Sequence, residues 1–180
     1  MLAGKAGMAE DFFALFDIPR AFAVDTGGLE IRYRDIQSRV HPDKHAHLTE
    51  ADRRVAMQWA TLANEAYQTL KNPLLRARYL LRLVGHETQM ENNTAMAPEF
   101  LIEQMEWRES VIESREAGDI AGLETLQARL RRQTKAQYAT LQADLDEKHD
   151  YAAASDMVRQ LMFQEKLLHE IDDAIEAIEA

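Results

Sequence analysis

Residues 29–44 read LEIRYRDIQSRVHPDK, and residues 62–70 read LANEAYQTL. The first stretch places apolar side chains at Leu29, Tyr33, Ile36 and Val40, with spacings of 4, 3 and 4 that mark one face of a helix. Arg32, Arg34 and Arg39 fall off that stripe, so basic groups face solvent. The helix is expected to stop at His41-Pro42-Asp43, because proline disfavours helical geometry in the residue before it. Thr49, with Glu50 and Asp52 behind it, has the chemistry of an N-cap followed by acids in the first turn. From there Val55, Trp59, Leu62, Ala66 and Leu70 form the stripe of a second helix running the opposite way.

Upstream, Asp11 to Phe16 is a short apolar patch of one or two helical turns, ended by Ile18-Pro19, and Thr26-Gly27-Gly28 is expected to break the chain again. Downstream, Asn72-Pro73 ends the second helix, and Pro73 can open the next one in its first turn. Leu74 to Val84 follows, with Leu75, Tyr79 and Leu83 in register. Gly85 to Ala97 is polar, carries Asn92-Asn93 and reads as a linker. Three long helical patterns fill the rest. The first runs from about Pro98 to Arg115, and Gly118-Asp119 then pairs a helix stop with a cap. The second carries Ile120, Leu123, Leu126, Leu130, Leu141 and Leu145. The third carries Met157, Leu161, Leu168, Ile171, Ile175 and Ile178. Short connections between long helices imply antiparallel neighbours and a bundle. No stretch alternates with a period of two, so an all-α fold is expected.

Composition narrows the function classes. The chain has 180 residues, 31 acidic and 21 basic, for a net charge of −10. Such a chain repels phosphate backbones, which argues against general nucleic-acid binding and makes any basic patch a local one for an acidic protein surface. There is no cysteine, so disulfides and thiolate ligation of zinc or an iron–sulfur cluster by this chain are excluded. No apolar run reaches the roughly 18–20 residues that span a bilayer, so no membrane partner is expected. Residues 1–9 lack the apolar core of a secretion signal, Met8 reads as the native start, and a cytoplasmic location is expected.

The helix pair around His41-Pro42-Asp43 resembles the J domain, in which two antiparallel helices are joined by a loop bearing that tripeptide. Further residues narrow the resemblance to J proteins of the HscB type: Asp11-Phe12-Phe13, Leu15-Phe16, the run Leu62 to Leu70, Pro73, Arg76-Ala77 and Tyr79-Leu80-Leu81. In the second half, Phe100 to Glu106, Val158 to Leu161 and Phe163 are similar to that family. The likeness covers nearly the whole chain from Met8. It implies a J domain over residues 8–84, a linker over 85–97 and a scaffold-binding three-helix bundle over 98–180. Two features depart from the pattern. Val40 stands where many J domains have tyrosine, which should change packing but not partner, and the cysteine-rich N-terminal module of some eukaryotic members is missing.

The resemblance implies a co-chaperone without catalytic activity, cofactor or metal. Such a protein binds an IscU-type iron–sulfur scaffold, delivers it to an HscA/DnaK-type chaperone and stimulates that chaperone's ATP hydrolysis. His41, Pro42, Asp43 and Lys44, with Arg32 and Arg39, would form the chaperone-docking face. Physically, Pro42 stiffens the loop, which presents an imidazole and a carboxylate at low entropic cost. The plainer reading is that His41 merely ends a helix and the arginines form a solvated face. A metal site is a third reading, since His41, Asp43, His45 and His47 lie close together, although no supporting partner for these ligands can be named.

The Pro98–Arg115 helix has two apolar stripes. Phe100, Trp107 and Val111 group on one side; Leu101, Met105 and Ile112 group roughly 120° away, with Ile102 beyond. One stripe suffices for a bundle. By the resemblance, Leu101, Ile102, Met105 and the off-stripe Phe163 would bind the scaffold, with Glu106, Arg108 and Glu109 at the polar rim. A contact with the other domain is the competing use for Leu101 and Met105. Two other functions remain open: a J protein serving a general DnaK-type chaperone with unfolded clients, and a purely structural helical adaptor. A di-metal bundle enzyme would need Glu-x-x-His pairs, whereas Asp146 and Lys166 hold that spacing before His149 and His169.

Overall fold

The structure is a computed structural model and describes residues 11–40, 49–86 and 96–179. Among them every regular element is helical: α1 (Phe12–Leu15), α2 (Thr26–Val40), α3 (Glu50–Lys71), α4 (Pro73–Leu83), α5 (Pro98–Glu116), α6 (Ile120–Gln142), a π-helical turn (Ala143–Lys148) and α7 (Tyr151–Glu179). The chain divides into two compact units between Leu80 and Leu81.

In the first unit, Asp11 starts α1 by accepting the Ala14 N–H at 2.8 Å, and its other carboxylate oxygen binds the Arg20 guanidinium. Phe12 stacks on Tyr79 with ring centroids 4.5 Å apart, and Tyr79 Oη accepts the Phe12 N–H at 2.9 Å. The expected break at Thr26-Gly27-Gly28 does not occur. These residues form the first turn of α2, because the Asp25 carboxylate caps it by accepting the N–H groups of Gly27 and Gly28, each at 3.1 Å. A Cβ on Gly28 would lie 2.7 Å from the Asp25 carboxylate, so glycine here admits the cap.

α2 and α3 are antiparallel. Tyr33 stacks on Tyr67 at 4.2 Å, Tyr33 Oη donates to Asn64 at 3.2 Å, and Gln37 reaches the Ala60 carbonyl at 3.4 Å. The buried face of α3 is Ala56, Ala63, Ala66, Tyr67 and Leu70. It is rotated from the expected stripe: Val55 is exposed, and Trp59 and Leu62 are only partly buried. The alanines let the helices approach closely, and an apolar pattern weighted toward large side chains undervalues them. In α4, Asn72 caps the start by accepting the Leu75 N–H at 3.0 Å. Leu75 is exposed rather than in register, while Leu74, Ala77 and Leu81 are buried. Arg76, also buried, donates to the Leu70 carbonyl at 2.6 Å and so satisfies the end of α3.

The second unit is an up-down-up bundle. Gln133 donates to Glu103 at 3.2 Å and Arg129 lies over the Trp107 ring, so α5 and α6 are antiparallel. Gln137 meets Gln160 and Arg131 meets Asp172, so α6 and α7 are antiparallel as well. Trp107, Val111, Leu123, Leu130, Leu167, Ile171 and Ala174 form one core cluster, with Leu126, Leu168, Ile175 and Ile178 packed against it. Gly118 leaves α5 at φ +65°, where glycine is favoured, and Asp119 caps α6 on the Gly122 N–H at 2.9 Å. The second helical pattern does not continue unbroken to Leu145: α6 widens into the π-helical turn, and His149 closes it at φ 53°.

Two outcomes follow from this packing. Leu123→Ala or Leu167→Ala, each removing a fully buried side chain, should lower stability by about 2–5 kcal/mol in urea unfolding. Asp11 sets an acid limit. Burial alone would raise its carboxyl, but the Ala14 N–H and the Arg20 guanidinium outweigh it and hold the carboxyl below the ordinary 3.8. A depressed folded value gives stability that is present above the unfolded value and lost as pH falls through the folded one. The stability difference between wild type and Asp11→Asn should therefore be full at neutral pH and shrink below pH 3.8.

Candidate functional site

Two faces hold the residues singled out from the sequence. On the first, His41, Pro42, Asp43 and Lys44 lie outside the described residues, as do His45 and His47. The described residues on either side end α2 and begin α3. Val40 is buried at the end of α2, and Thr49 caps α3 by accepting the Asp52 N–H at 3.2 Å. Val40 thus serves the core, as its apolar character requires.

The basic residues beside the loop divide into two kinds. Arg39 is exposed and pairs with Asp35 one turn back at 2.7 Å, which leaves it at the surface near the end of α2. Arg32 is more constrained. It donates to the Phe16 carbonyl at 3.0 Å and lies 3.6 Å from the Asp17 carboxylate. That bond ties α2 to the end of α1, a role that the helical pattern of charges does not disclose. Among the described residues no group of three or more His, Cys, Asp or Glu side chains could hold a metal ion.

The second face lies on α5. Phe100, Gln104, Trp107 and Val111 are its buried stripe. Leu101, Ile102, Met105 and Ile112 are exposed, Met105 at 71%. The 100° helical step sets these two stripes about 130° apart, so burying one turns the other outward. Phe163 is less free than its position off the α7 stripe suggests: its ring stands edge-on to Phe100 at 6.1 Å, leaving it 36% exposed. That contact, with Arg108 bound to Glu170 at 3.2 Å, shows α5 and α7 running parallel. Phe163 therefore sits at the edge of the α5 face, together with Leu101, Ile102 and Met105. Glu106 and Glu109 are exposed beside them, while Arg108 is half-buried by its ion pair. Glu103 was missed. It accepts from both Trp107 Nε1 and Gln133, anchoring α5 from beneath the face.

A helical hairpin whose connection is His-Pro-Asp, followed by a helical bundle with an outward apolar face, defines a J-domain co-chaperone. A family model described as the HSCB C-terminal oligomerisation domain matches residues 96–172. The co-chaperone protein HscB homolog of Aromatoleum aromaticum is 51% identical over 172 residues, covering 96% of this chain and 97% of the relative. The solved chaperone HscB from Vibrio cholerae has a TM-score of 0.83 at 36% identity, covering 93% of this chain and 99% of its own. The crystal structure of the human co-chaperone protein HscB has a TM-score of 0.86 at 29% identity, covering 92% of this chain and 82% of its own. The chain belongs to the HscB co-chaperone family, and its fold is the N-terminal J domain and C-terminal helical domain of the HscB structures. Among the described residues no helix is long and apolar enough to cross a membrane.

The two arginines should respond differently to truncation. Arg32→Ala should lower stability by about 1 kcal/mol by leaving the Phe16 carbonyl without its donor. Arg39→Ala should stay within about 0.5 kcal/mol of wild type, because exposed ion pairs contribute little. Thermal melts of both variants check this.

Proposed function

We propose that this protein carries an IscU-type iron–sulfur scaffold on its second unit to an HscA/DnaK-type chaperone in the cytoplasm, and that its J domain stimulates the chaperone's ATP hydrolysis. The cluster is cargo of the scaffold; this chain has no cysteine to ligate it. The observation that carries the reading is the second apolar stripe of α5, which the bundle leaves exposed although nothing in its own packing needs it. Exposed apolar faces of this kind mark partner sites. Membership of the HscB family supports the choice of partner.

The division of labour follows from the chemistry. Leu101, Ile102, Met105 and Phe163 exclude water against the scaffold, and Glu106, Glu109 and Arg108 give the polar rim that sets orientation. His41, Pro42 and Asp43, with Lys44, Arg32 and Arg39 nearby, dock on the chaperone. This chain supplies no catalytic group; the ATP site belongs to the chaperone, which responds to docking. Holding scaffold and chaperone on one chain raises the effective concentration of each for the other.

The two activities should separate. His41→Gln should abolish stimulation of the chaperone ATPase while scaffold affinity, measured by calorimetric titration, stays unchanged. Leu101→Ala with Met105→Ala should leave the melting temperature nearly unchanged and weaken scaffold binding by roughly thirtyfold or more, as loss of buried apolar anchors does. The J domain of that double variant should still stimulate the chaperone weakly. Retained scaffold affinity in the folded double variant, or recovery of only unfolded clients with a general chaperone in pull-downs, would overturn the assignment.

A further inference from the structure

We infer that Ile112 is a further anchor of the scaffold-docking face, extending it two turns along α5 beyond Met105. This rests on the reading that the α5 face binds the scaffold. Ile112 is 55% exposed, more so than Leu101, yet no bundle contact accounts for an isoleucine there. At 100° per residue it projects between Leu101 and Met105, about 20° from each. With the 1.5 Å helical rise, the apolar line Leu101–Met105–Ile112 is about 16 Å long.

Arg108 occupies the turn between Met105 and Ile112 and would interrupt that line. It does not, because its guanidinium is drawn toward α7 by Glu170, Nε to Oε2 at 3.2 Å. The flanks of the line differ in charge. Exposed Glu109, Glu113 and Glu116 lie on one side, and Arg108 and exposed Arg115 on the other. An apolar segment of the scaffold that fits this face must therefore carry lysine or arginine along one edge. Opposite charges steer association and allow one orientation, since the reversed one would set like charges together. In that orientation Ile112 is buried by the far end of the segment.

The test is calorimetric titration of the purified scaffold protein into the full-length chain. Ile112→Ala should weaken binding about tenfold with the melting temperature unchanged. Ile112→Lys should weaken it further, by setting a charge in the apolar line. Ile31→Ala on α2, which removes an even more exposed isoleucine from the other unit, should leave scaffold binding unchanged. Wild-type affinity in Ile112→Ala, while Leu101→Ala with Met105→Ala loses binding, would overturn this inference and leave the docking face standing. Wild-type affinity in all these variants would overturn the docking face itself. A second copy of the chain as occupant would show as altered sedimentation of Ile112→Ala alone with scaffold binding intact, and would also overturn the inference. So would a marked fall in melting temperature, which would make Ile112 a packing residue.

Discussion

A helix on the outside of a three-helix bundle can bury only one stripe of side chains. α5 carries two apolar stripes, and the bundle takes the one with Phe100, Trp107 and Val111. Trp107 decides which. It is the largest side chain on the helix, it is buried in the core cluster, and the Arg129 guanidinium lies over its ring. Turning the helix to bury Leu101 and Met105 instead would bring Trp107 out of that cluster. Glu103 holds the same choice from the polar side, bound to Trp107 Nε1 and to Gln133 of α6. The buried core stripe and the exposed apolar stripe are thus two consequences of one rotation angle.

The first unit depends on a different constraint, the packing of α2 against α3. α2 and α3 approach closely because alanines line the buried face of α3 and two tyrosine rings lie flat against each other. At the facing ends of the two helices, Val40 is buried at the end of α2 and Thr49 caps the start of α3.

Most of the architecture was legible in the residues. Helix identity follows from apolar spacing, caps are visible at Thr49 and Asp119, and the double stripe of α5 is evident in the order of residues. The failures share a cause. Thr26-Gly27-Gly28 looked like a break because glycine is a poor helix former, yet Asp25 caps both glycine amides and the helix begins there. Val55 and Leu75 are placed on buried stripes by hydrophobicity alone, whereas the chain buries Ala56, Ala63 and Ala77. Small side chains carry little hydrophobic signal but permit close approach, and close approach is decided by the neighbouring helix.

The candidate site divides in the same way. That Leu101, Met105 and Ile112 share one side of a helix is local geometry and follows from the order of residues. Local geometry cannot say which stripe of α5 faces out, that Phe163 leans on Phe100, that Arg32 is bound to the Phe16 carbonyl, or that Glu170 draws Arg108 off the apolar line. Those are contacts between residues far apart in the chain, and only the packing of helices against one another brings such groups within a few ångströms.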